Sequence, residues 1–161
     1  MRRCAIIMAV IRGLAFVCLS FAGCANVDDE PGVSVRDRAA FDATVWPLLV
    51  RDCGFSECHG SHERFFRVVG PGHARLDPAM QLNARVTEAE LQFSYARALS
   101  MIDTDDPASS LLLRKPLEVN AGGVGHEGAD NFGMDVYRTV NHPSYQALRN
   151  WVLGVTPPGG P

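Results

Sequence analysis

The chain has no surplus of basic residues: Lys and Arg number 15 against 18 Asp and Glu, a net charge of −3. Such a balance offers little to neutralise a phosphate backbone, which argues against a nucleic-acid partner. A long unbroken apolar run is also missing. Arg12 interrupts the first one, and the uncharged stretch from Gly13 to Gly23 falls short of the roughly 20 residues that a bilayer-spanning helix needs. There is no internal repeat, no Ser/His/Asp order and no standout carboxylate pair, so hydrolytic chemistry has no visible machinery. What is present is ordinary globular composition over 161 residues, 47% hydrophobic and 20% charged, which excludes wholesale disorder and suits one domain. Gly (15) and Pro (10) are plentiful and predict long loops.

The first residues read as an export signal. Arg2 and Arg3 precede an apolar segment that ends on small residues, the order of a secretory leader. Phe21-Ala22-Gly23-Cys24 resembles a bacterial lipobox, with Phe21 where Leu is usual. That resemblance implies lipid attachment at Cys24, and the lack of Asp directly after Cys24 implies the outer rather than the inner membrane. Residues 1–23 are then a lipoprotein signal peptide, 24–35 a polar tether, 36–156 the folded domain and 157–161 a frayed tail. Without Arg2, Arg3 and Arg12 the 15 basic residues fall to 12 against 18 acidic, a net charge of −6. Cys4 and Cys18 leave with the signal, and with Cys24 lipidated only Cys53 and Cys58 keep thiol chemistry.

Within the domain, Ala39, Phe41, Val45, Leu48 and Leu49 predict a helix over 35–51, with Pro47 ending or kinking it. Thr87-Glu88-Ala89-Glu90 is a capping box, opening a helix through Leu91, Tyr95, Ala98, Leu99 and Ile102. Residues 109–115 predict a short helix ending before Pro116. Pro143 opens a last helix, whose apolar face is Tyr145, Leu148, Trp151 and Val152, and Gly154 stops it. The fold class expected is all-α, a small domain whose first and last helices pack around a central site, with long glycine-rich loops.

The chemistry concentrates in Cys53-Gly54-Phe55-Ser56-Glu57-Cys58-His59-Gly60. Two thiols followed at once by an imidazole can fasten a haem: the thiols form thioethers with the vinyl groups, and the histidine ligates iron from one face. The usual spacing is C-x-x-C-H; here it is C-x4-C-H, which widens the loop but keeps Cys58 and His59 adjacent. The same residues could instead form a Cys53–Cys58 disulfide, favoured in an exported protein, or contribute to a zinc site with a fourth ligand.

The surroundings resemble the cytochrome c-like domains of exported planctomycete and myxobacterial proteins. Phe41-x-x-x-Val45-x-Pro47-Leu48-Leu49, Cys53 and Cys58-His59-Gly60 resemble their V-x-P-I-L helix and C-N-x-G-x-C-H-G site. Ser110-Leu111-Leu112-Leu113-Arg114-Lys115-Pro116 resembles S-L-L-L-x-K-P, His126-Glu127-Gly128-Ala129 resembles H-G-G-G, and Tyr145-x-x-Leu148-x-x-Trp151-Val152 resembles the closing helix. Gly54, Phe55, Glu127 and Ala129 depart from the pattern, and 133–141 looks inserted. The resemblance implies one covalent haem c on Cys53 and Cys58, with His59 as axial ligand. For the sixth ligand His62 lies too close to His59 in the chain, His73 lacks support from the resemblance, and His142 reads as the solvent-facing start of the last helix. His126 matches the H-G-G-G position and is favoured. Met134 is the alternative, by its spacing to Trp151. Phe41, Val45, Trp46, Leu49, Leu148, Trp151 and Val152 would pack around the ring, and Phe65 and Phe66 either line the pocket or plug the core.

The function implied is one-electron transfer with an unidentified redox partner protein. The carrier is a lipid-anchored, periplasm-facing monohaem c-type cytochrome with no enzyme activity of its own. Two other readings stay open. One is a non-redox envelope lipoprotein with a Cys53–Cys58 disulfide. The other is a haem peroxidase-like enzyme with an open sixth position.

Overall fold

A computed structural model describes residues 36–126 and 136–155. Among the described residues the chain is helical, without a strand. Asp37 starts the first helical run by accepting the Ala40 N–H at 3.0 Å through its side chain. The run has three parts: α1 (Arg38–Ala40), a π-helical turn (Phe41–Val45) and α2 (Trp46–Cys53). Pro47 therefore neither ends the helix nor stands outside it. It sits in the first turn of α2, where a missing N–H is tolerated, directly after a wide turn in which the Trp46 N–H reaches back to the Phe41 carbonyl.

The capping box forms as expected. Thr87 Oγ1 accepts from Glu90 N at 3.2 Å and Glu90 Oε2 accepts from Thr87 N at 3.0 Å, opening α3 (Glu88–Leu99). This helix stops at Leu99, short of Ile102. Buried Ser110 ties the connection by accepting from Asp103 N and donating to the Pro107 carbonyl, and α4 (Leu111–Arg114) follows. The last helix, α5 (Pro143–Leu153), begins at Pro143 and ends on Gly154, whose φ of +68° is the left-handed conformation that favours glycine.

Phe41, fully buried, is the hub of the core. Its ring lies 5.2 Å from both Tyr95 and Trp151, joining the π turn to α3 and α5 in edge and tilted contacts. Tyr95 donates to the Arg36 carbonyl, and Trp151 Nε1 donates to the Asp37 carbonyl at 2.8 Å.

The loop between α2 and α3 has a polar centre instead. Arg75 is fully enclosed and donates to both carboxylate oxygens of Glu90, at 2.6 and 2.9 Å. It also donates to the carbonyls of Met80, Asn83 and Arg85. One guanidinium thus satisfies a whole loop turn that has little apolar surface of its own. Beyond α4, an isolated parallel bridge joins Leu117 to Tyr137. The Tyr137 hydroxyl donates to Asp52 at 2.9 Å, anchoring this segment to the end of α2.

Candidate functional site

Cys53 is the last residue of α2, and the next seven residues fold back on it. His59 N donates to the Cys53 carbonyl at 3.0 Å, while Cys58 N and Gly60 N both donate to the Phe55 carbonyl. The return is so tight that a Cβ on Gly60 would stand 2.2 Å from the Gly54 carbonyl oxygen, so only glycine fits after His59. The longer C-x4-C loop is accommodated by this double reversal, and both cysteines and His59 line one cavity. Cys53 and Cys58 are both free thiols in this structure. Burial, with lesser help from Asp52 and Cys58, pushes the Cys53 thiol up to about 12, so it is protonated at neutral pH.

His59 is oriented by its backbone neighbour. Its Nδ1 lies 2.9 Å from the Phe66 carbonyl oxygen, an atom that can only accept, so Nδ1 carries the proton. Nε2 is left with the lone pair that a metal requires. The Phe66 ring meets the imidazole edge-on at 4.8 Å and fixes its tilt. Burial, opposed by the Phe66 carbonyl and reinforced by His126 and Arg64, lowers the His59 pKa and favours the neutral form.

The cavity, about 230 Å³, is walled mainly by Leu49, Phe66, Met101, Leu112, Val136 and Leu148. Asp52, Arg64 and Lys115 supply its charges. Asp52 is ionised: burial raises its pKa, but the hydrogen bonds from Arg51 and Tyr137 outweigh that and bring it below the usual value.

His126 reaches the same cavity from the opposite segment, its ring 5.7 Å from that of His59 and within 18° of parallel. Local chemistry brings it there. Val124 N donates to the Arg114 carbonyl, Gly123 N to the Glu118 carbonyl, and Lys115 Nζ to the Gly125 carbonyl at 2.8 Å. A Cβ on Gly123 would lie 1.7 Å from the Leu117 carbonyl oxygen, so the reversal demands glycine.

The other candidates sit elsewhere. Exposed His62 contacts Arg67, and His73 holds the Gly54 carbonyl at 2.8 Å outside the cavity. His142 caps α5 by accepting the Ser144 N–H, so it is a helix cap rather than a bare surface residue. Met134 and Cys24 lie outside the described residues, as does the tail 157–161. Of the apolar residues expected around a ring, only Leu49 and Leu148 line the cavity. Phe41, Val45, Trp151 and Val152 form the core behind it, and Trp46 turns away to donate to the Val69 carbonyl over Gly70. Phe66 lines the cavity whereas Phe65 is 69% exposed. Sequence reasoning missed Asp52, Arg64, Met101 and Val136, which carry no motif. It quoted Leu112 and Lys115 for their resemblance without giving them a role.

No protein-family model, curated protein or solved structure matches the chain. Among the described residues no helix is long and apolar enough to cross a membrane. No group of three or more His, Cys, Asp and Glu among the described residues is arranged to hold a metal ion by itself.

Proposed function

We propose that this domain is a monohaem c-type cytochrome that carries single electrons in the cell envelope, tethered by a lipid on Cys24. The observation that carries the reading is the convergence of Cys53, Cys58, a tautomer-fixed His59 and His126 on one apolar cavity. The rings of His59 and His126 lie 5.7 Å apart and within 18° of parallel, close enough for both to reach one bound group.

In this reading Cys53 and Cys58 would hold the haem covalently, and His59 and His126 would hold its iron. Bound haem supplies the one-electron chemistry. The chain's residues do the rest. The Phe66 carbonyl holds His59 in the ligating tautomer. Leu49, Met101, Leu112 and Leu148 exclude water, and Arg64 and Lys115 offer cations to carboxylates at the mouth. At about 230 Å³ the cavity lies below the common cofactor range of roughly 300–1,000 Å³.

The test is the pyridine haemochrome spectrum and intact mass of protein exported with a working maturation system. The expected result is one covalent haem, lost or reduced to a single thioether in Cys53→Ala and Cys58→Ala. His126→Ala should turn a low-spin spectrum high-spin. A colourless protein whose two thiols are bonded to each other defeats the proposal. An unchanged spectrum in His126→Ala assigns the sixth position elsewhere, with Met134 the next candidate.

A further inference from the structure

Beside the cavity lies a group of arginines, of which only Arg64 lines it. Arg38, Arg51 and Arg75 each meet a carboxylate within 4 Å. Among the described residues, Arg64, Arg67 and Arg97 do not, although the chain has more acidic than basic residues. Two of them lie over aromatic rings instead. Arg67 lies 5.0 Å and Arg97 5.2 Å from the Phe93 ring centre, and Arg97 also lies 5.1 Å from that of Phe65. Cation–π contacts of this kind fix a guanidinium by its face, and only one nitrogen of Arg67, Nη1, is engaged besides, by His62. Phe65, 69% exposed, stands among them as an apolar centre. The patch is continuous with the candidate site, because Arg64 and Phe66 line the cavity and Phe65 lies between them in the chain. Glu57 and Glu63 lie close in sequence to Arg64 and Arg67; Glu57 accepts from the Ser56 hydroxyl, and neither forms an ion pair with the three arginines.

We infer that Phe65, Phe93 and the three arginines Arg64, Arg67 and Arg97 form a docking surface for an acidic protein segment, rich in carboxylates around an apolar centre. Charge complementarity selects this occupant: three guanidiniums with no ion-pair partner among the described residues, two of them held over rings, match carboxylates, and an exposed ring flanked by arginine is a common interface centre. The surface would bring an acidic redox partner to the mouth of the cavity, and that part of the inference rests on the haem reading.

Two measurements separate the claims. The first needs no haem: a titration of the full-length protein with hexaglutamate, followed by amide NMR shifts. Shifts should cluster at 64–67 and around Phe93 and Arg97, and the affinity should fall about tenfold in the Arg64→Gln/Arg67→Gln/Arg97→Gln variant. The Arg85→Gln/Arg149→Gln variant should bind like the parent. Arg64→Gln alone, at an exposed position, gives a smaller loss and covers misfolding of the triple variant. Shifts spread over the surface, or equal losses in both multiple variants, overturn the docking surface whether or not haem is present. The second measurement uses haem-loaded, reduced protein oxidised by ferricyanide. The mature chain, with 12 basic against 18 acidic residues, has a net charge of −6, which alone makes the rate rise with salt. The patch makes it fall several-fold between about 0.01 M and about 0.15 M ionic strength, and the triple variant reverses the sign. A rise in the parent protein removes the patch from the electron route.

Discussion

Glu90 does two jobs with one carboxylate. It closes the capping box of α3 and neutralises the enclosed Arg75 guanidinium. The hydrogen bond from Arg75 outweighs burial and, with the Thr87 and Leu76 N–H groups, lowers its pKa from 4.5 to about 2. A carboxyl held below its unfolded value stabilises the fold at pH above that value, and the stabilisation disappears as pH falls toward the folded value. Stability measured by urea unfolding should therefore hold above about pH 5 and fall between pH 4.5 and about 2, and Glu90→Gln should flatten that limb. Glu90→Ala leaves a buried cation unpaired and should cost about 3–5 kcal/mol. A loss near zero in that variant would mean that water reaches Arg75. The capping box was legible in the sequence because Thr and Glu at that spacing satisfy local donors. The partnership with Arg75, 15 residues away, was not, since nothing local distinguishes a cap that faces solvent from one that faces an enclosed cation.

At the scale of elements, both arms of the candidate site depend on glycines that allow close backbone approach. Gly60 follows His59, and Gly123 precedes the latch formed by Lys115 and the Gly125 carbonyl. Gly123→Ala forces its Cβ into the Leu117 carbonyl and should displace the His126 arm while leaving the helical core intact. The expected outcome is unchanged far-ultraviolet circular dichroism with lost amide protection at 117–126, read by hydrogen exchange. In haem-loaded protein the same variant should bind exogenous imidazole more readily. Retained protection would show that the neighbouring backbone yields. The C-x4-C-H-G turn, α5 with its Gly154 stop, and the short α4 were readable from local signals. The π turn before Pro47 was not, because a proline announces a missing donor without saying whether the helix ends or widens. The cavity's far wall, from Leu112 to Val136, was equally silent: its residues meet the two thiols only through tertiary packing.

Across the whole molecule, one aromatic knot joins the first helical run, α3 and α5. Phe41, Tyr95 and Trp151 meet within 5.2 to 6.2 Å. Phe41→Ala should cost about 3–5 kcal/mol, with the denaturant slope unchanged if the fold persists. The apolar periodicity predicted these residues as a shared stripe. It did not reveal that most of them form the core behind the cavity rather than its wall, since one stripe on a helix serves both surfaces.

The same knot sets where the described fold starts and finishes. Trp151 donates to the Asp37 carbonyl, Tyr95 to that of Arg36, and Gly154 lies beside the Arg36 side chain. The first and last described stretches are neighbours, so a short bridge could join them. New termini could then be cut in an exposed bend such as that at Asp103–Asp106. The unit can thus be spliced as a guest cassette into a host protein, or circularly permuted, without parting Cys58 from His59 or disturbing the hinge that delivers His126.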